Sequence, residues 1–207
     1  MRRPALLSLL LLACSDRPPP AGSGSLETTP TGSAPRPPEL APAASAITYP
    51  NGSVSTLDPA RCSVRLLRDG TVKWARTLAG CDGFLSANVA MDSTLYVRDP
   101  HTLSAFDADG TLKWAKKLEG APPLSQLATP AVLADSRAAL ATTSRGVTVF
   151  ERDGTIAWSF SLPSGEDLVS PPAGMRTEGM ILITERATYY LGATGEVRWR
   201  VDGAAKP

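Results

Sequence analysis

From about residue 47 onward, apolar and polar residues alternate in short runs separated by turn residues, and one phrase of that pattern recurs four times. It reads Leu67-Arg68-Asp69-Gly70-Thr71-Val72-Lys73-Trp74, then Phe106-Asp107-Ala108-Asp109-Gly110-Thr111-Leu112-Lys113-Trp114. It returns as Phe150-Glu151-Arg152-Asp153-Gly154-Thr155-Ile156-Ala157-Trp158 and as Leu191-Gly192-Ala193-Thr194-Gly195-Glu196-Val197-Arg198-Trp199. The glycines are 40, 44 and 41 residues apart, and each of the chain's 4 tryptophans stands four places after one of them. Alternation with period two marks strands. Asp-Gly, or Thr-Gly in the last phrase, supplies the positive φ that a tight hairpin turn needs. Each phrase therefore predicts a hairpin, with Val72, Trp74 and their equivalents on one face and Thr71, Lys73 and Ala75 on the other.

Two more short strands precede each later phrase: Ser86–Met91 and Thr94–Arg98, Thr129–Leu133 and Ala138–Thr143, Ser170–Met175 and Met180–Glu185. The first repeat is vaguer, with Ile47–Tyr49 and Gly52–Leu57 as its opening pair. Four strands in a period of about 40 residues match a propeller blade.

The phrase, best seen in Leu103-Ser104-Ala105-Phe106-Asp107-Ala108-Asp109-Gly110, resembles the pyrroloquinoline-quinone-type propeller repeat, and the resemblance covers residues 47–207. It implies an all-β fold of four four-stranded blades. It also implies that glycine and tryptophan dock neighbouring blades together, roles that fall here to Gly70/Trp74, Gly110/Trp114, Gly154/Trp158 and Gly195/Trp199. Members of that family usually close rings of seven or eight blades, so four blades are expected to form an open half-ring; a closed four-bladed ring is the alternative. An open arc leaves apolar faces in water, which marks an interface or a fragment. A homodimer or another chain would complete it.

The first 46 residues have a different pattern. Met1-Arg2-Arg3 precedes the apolar run Ala5–Ala13, too short for the roughly 20 residues that span a bilayer, so residues 1–13 read as a removable signal. Leu11-Leu12-Ala13-Cys14 resembles the lipobox of bacterial lipoproteins, which implies lipidation of Cys14 and, with Ser15 rather than Asp following, the outer membrane. Residues 14–46, rich in Pro, Ala, Ser and Gly, read as a disordered tether that its prolines extend.

Cys62 and Cys81, left in an oxidising compartment, form a disulfide candidate. They flank the hairpin at Asp69-Gly70, although a two-residue turn pairs position 62 nearer to 77 than to 81.

The formal net charge is +1 and includes Arg2 and Arg3, so no basic field for nucleic acid is expected. Lys73, Lys113, Lys116, Lys117 and Arg198 read as a solvated strand face. No catalytic, cofactor or metal residue is assigned. His101 is the single histidine and reads as a surface-loop residue. Asp107, Asp109 and Asp153 are explained by turn chemistry, because no Glu closes a calcium loop after them. There is no G-x-S-x-G elbow and no adjacent cysteine pair. One lipoprotein of the resembled class serves the outer-membrane β-barrel assembly machine. The resemblance thus implies a non-enzymatic envelope scaffold that binds partner proteins, with a truncated propeller or a quinone-dependent enzyme remnant as the alternatives.

Overall fold

A computed structural model of the chain describes residues 45–118 and 126–203. Cys14, the signal and the tether up to residue 44 lie outside the described residues. The first strand begins at Ser45, two residues ahead of the expected boundary.

Among the described residues sixteen strands form four antiparallel four-stranded sheets, each in simple sequence order. Blade 1 holds β1 (Ser45–Thr48), β2 (Val54–Asp58), β3 (Ser63–Arg68) and β4 (Thr71–Thr77). Blade 2 holds β5 (Ser86–Val89), β6 (Leu95–Arg98), β7 (Thr102–Phe106) and β8 (Leu112–Lys117). Blade 3 holds β9 (Ala131–Val132), β10 (Ala138–Thr143), β11 (Gly146–Phe150) and β12 (Ile156–Ser161). Blade 4 holds β13 (Ala173–Gly174), β14 (Met180–Ile183), β15 (Ala187–Leu191) and β16 (Val197–Asp202). The fold is four propeller blades with no closed sheet, as the repeat implied.

The blades stack face to face, and three apolar clusters fill the three gaps. Leu57, Val64, Leu66 and Trp74 of blade 1 meet Leu95, Val97 and Phe106 of blade 2. Tyr96, Leu103, Ala105 and Trp114 of blade 2 meet Ala138, Leu140 and Phe150 of blade 3. Ala139, Ala141, Val147 and Val149 of blade 3 meet Met180, Leu182, Tyr189 and Leu191 of blade 4. In every gap the tryptophan-bearing face of one blade covers the opposite face of the next.

Burial along the strands follows from this stacking. Strands of the inner blades are covered on both faces, so β6 is buried throughout and β10 and β11 nearly so. A strand buried on both sides reads as a continuous apolar run. Strands of the end blades alternate instead: every second residue of β2, β14 and β15 is only partly buried.

The repeated turns divide into two kinds. In blade 1 both Asp69 and Gly70 have positive φ, the two-residue hairpin that Asp-Gly favours. In blades 2 to 4 the turn is one residue longer. The glycine alone is left-handed, and its N–H donates to the carbonyl three residues back: Gly110 to Asp107, Gly154 to Glu151, Gly195 to Gly192. A register shift beside each turn then separates the two positions expected on one face. Trp74 pairs with Leu66 and is buried, whereas Val72 pairs with Leu67 and is exposed. A bulge adds one residue to one strand, so strict period two fails across it.

Cys62 and Cys81 are joined by a disulfide with Cα atoms 5.5 Å apart. Ser63 pairs with Thr77, the Cys62 carbonyl accepts the Leu78 N–H, and the turn at Gly80 brings position 81 back beside position 62. The bridge spans a sequence separation of 19. Replacing both cysteines by serine is expected to cost about 3 kcal/mol, chiefly by freeing the unfolded chain; the difference in denaturant unfolding between the oxidised parent and the variant measures it.

Candidate interaction surface

The buried Trp74 and Trp114 and the partly buried Trp158 each sit on the glycine turn of the following blade, not on the glycine of their own repeat. A methyl group added at Gly110 would lie 2.6 Å from the Trp74 ring, and one at Gly154 would lie 2.7 Å from Trp114. At Gly195 it would lie 2.7 Å from Trp158. Only a residue without Cβ, and with its φ positive, leaves room for the indole there.

The same turns accept the indole N–H. Trp74 Nε1 donates to the Ala108 carbonyl at 3.1 Å, Trp114 Nε1 to Arg152 at 2.8 Å and Trp158 Nε1 to Ala193 at 2.8 Å. In each case the acceptor stands two residues before the glycine. Large apolar burial and a satisfied polar edge thus come together at each junction. Phe106 stacks on Trp74 and Phe150 on Trp114, and the Arg76 Nε donates to the Gly110 carbonyl at 2.8 Å.

Two members of the expected set stand apart. Nothing lies within 4 Å of a methyl group at Gly70. Trp199 is 43% exposed, against 7% for Trp74 and 9% for Trp114, and it stacks only on Tyr190 of its own blade. These are the receiving and donating ends of a series of three junctions.

The turn carboxylates have local partners. Asp109 and Asp107 each accept the Thr111 N–H at 2.8 Å. Asp153 accepts the Thr155 N–H and hydroxyl, and these bonds hold its carboxyl below the usual range. His101 is exposed and meets Asp82 at 3.2 Å. Among the described residues no three His, Cys, Asp or Glu side chains converge on a point that could hold a metal ion.

A buried network escaped the sequence reading. Glu166, in the connection between β12 and β13, accepts the Tyr189 hydroxyl at 2.8 Å and the Arg200 guanidinium at 2.9 Å, and the Thr184 hydroxyl lies 3.2 Å away. It fastens that connection to blade 4. These bonds, the Tyr189 one foremost, hold its carboxyl below the ordinary glutamate value. Nothing in the local sequence pairs Glu166 with Arg200. Arg98 is also fully buried, and its guanidinium nitrogens have no hydrogen-bond partner among the described residues; loss of water lowers its pKa.

The fold and its repeated junction define a propeller protein of the pyrroloquinoline-quinone-type repeat class. The family model described as outer membrane protein assembly factor BamB matches residues 50–206, and the chain belongs to that family. No curated protein sequence matches it. Among solved structures it is similar to BamB from Moraxella catarrhalis, with 15% identity and a TM-score of 0.55 over 77% of this chain and 53% of that one. Virginiamycin B lyase from Staphylococcus aureus gives 12% identity and a TM-score of 0.56 over 76% of this chain and 54% of the lyase. BBS1N in complex with ARL6DN gives 14% and 0.58 over 77% and 53%. BamB, described as an outer membrane protein assembly factor, and a lyase thus share the fold. This chain spans about half the length of these structures.

Gly154→Ala is expected to destabilise the protein by about 2 to 4 kcal/mol, through overpacking against Trp114 plus backbone strain. Gly70→Ala, with open space above it, should cost only about 1 kcal/mol of strain; urea midpoints of the two variants give the comparison. For Glu166 the folded pKa is depressed, so its contribution is present above the unfolded value of 4.5 and is lost as pH falls through the folded pKa. Unfolding of Glu166→Gln from neutral pH to pH values below 4.5 should therefore show a smaller acid-side loss than the parent.

Proposed function

We propose that this chain is a lipid-anchored, non-enzymatic scaffold of the cell envelope, held at the outer membrane, whose blades bind partner proteins. The observation that carries the reading is the uncovered face of blade 4. Ile181, Ile183, Tyr190, Trp199 and Val201 stand on it, with Trp199 43% and Val201 58% exposed. An apolar sheet face in water marks a protein interface.

Membership of the BamB family supports an envelope setting. Lipidation at Cys14 would supply the anchor, and the proline-rich tether would let the blades stand away from the membrane. Asp107, Asp109 and Asp153 bond within their turns, and Glu166 ties a connection to blade 4. A second copy of the chain is among the partners that the open ends admit.

Cys14→Ser in the full precursor is expected to abolish incorporation of labelled palmitate and to move the protein from the membrane to the soluble fraction. A parent protein that takes up no palmitate would refute the anchor. In intact cells, a photo-reactive residue at position 201 should cross-link to protein, whereas one at the exposed Asp92, in the β5–β6 turn of blade 2, should not; silence at position 201 would count against the scaffold.

A further inference from the structure

The two end blades carry the two halves of one interface, which the chain makes three times inside itself. On the receiving side of each internal junction, a β-strand pair next to the turn is covered by the preceding blade. These pairs are Leu95/Phe106, Ala138/Phe150 and Met180/Leu191, none more than 5% exposed. The matching pair in blade 1, Val54/Leu67, is equally apolar but only partly buried.

On the donating side, Tyr96/Ala105 and Ala139/Val149, the pairs beside Trp114 and Trp158, are fully buried. The matching pair in blade 4, Ile181/Tyr190, is only partly buried, and Trp199 beside it is exposed. The Met180-Ile181-Leu182-Ile183 run of β14 is apolar on both faces, the pattern of an inner blade.

We infer that blade 4 of one copy seats on blade 1 of a second, Trp199 over Gly70, and that two such junctions related by a two-fold axis close an eight-bladed ring. This rests on reading the chain as an interaction scaffold. Three features select a second copy as the occupant. The chain itself carries both halves. The left-handed Gly70 has the open space that an indole fills at Gly110, Gly154 and Gly195. The chain covers 53% to 54% of the similar propellers, so two copies restore their length.

The junction between copies differs from those within the chain in two ways. Its turn is one residue shorter, with Arg68 paired to Thr71 across it, so the carbonyl that accepts the indole N–H at the longer turns has no direct equivalent there. Next to Val54/Leu67 it presents Thr56 and Arg65, where blade 4 presents Leu182 and Tyr189. A more polar contact is easier to separate, while closure by two junctions at once raises the effective concentration at each.

The test uses the full lipidated chain in detergent. Sedimentation should give the mass of two chains for the parent, and Trp199→Arg should weaken dimerisation at least about 30-fold. The melting curve should change little, because position 199 lies outside the internal junctions. Gly70→Cys protein mixed with Trp199→Cys protein should form mixed disulfide dimers under mild oxidation. Trp114→Cys combined with Gly154→Cys in one chain, the same junction inside the molecule, calibrates that reaction.

A monomeric parent would overturn the inference, and so would dimers that cross-link position 199 to position 199. In either case cross-linking of position 201 to other proteins in cells would leave the scaffold reading standing.

Discussion

The fold depends on the fit of an indole against a glycine turn. A four-stranded sheet with two apolar faces is unstable alone, because neither face is out of water until another blade covers it. The tryptophan solves the alignment problem as well as the burial problem. Its ring lies where a Cβ would stand, and its N–H reaches a carbonyl fixed two residues before the glycine. Blade spacing and blade rotation are thereby set by the same contact, and repetition of the contact builds the arc.

An arc assembled by identical junctions has two unlike ends. One end carries a tryptophan with no turn to sit on, and the other carries a glycine with no indole above it. Among the described residues the three inner junctions are complete, and Gly70 and Trp199 are not covered by another blade. The polar side chains agree with this division: those at the turns mostly bond their own backbone, and Glu166 fastens one connection to blade 4. A buried carboxylate with three partners is a structural tie rather than a reactive group.

The disulfide reinforces the first blade in a way the hairpin alone does not. No described blade precedes blade 1, and part of its sheet, Val54 and Leu67 included, is only partly buried. A cross-link between the start of β3 and the chain beyond β4 limits how far that sheet can open. The larger local cost in the core is Arg98, a cation placed where its neighbours in β6 are apolar.

How much was legible in the sequence follows from the range of each interaction. The turns, the strands beside them and the repeat itself are local, so the Gly-x-x-x-Trp spacing and period-two alternation were enough for four blades. Strand alternation also distinguished covered from uncovered faces once the blades were placed. What only the tertiary structure decided was long-range or a single-residue detail. The partner of Trp74, Trp114 and Trp158 is in each case the glycine of the next repeat, 36 to 40 residues on, and no local rule makes that choice. The bulge that turns Val72 away from Trp74 is one inserted residue, invisible to a periodicity. Glu166 meets Arg200 because two distant segments converge. The sequence by itself determined the four blades and their turns, because both are local; which face meets which, and that Gly70 and Trp199 are left without their counterparts, was decided by stacking in three dimensions.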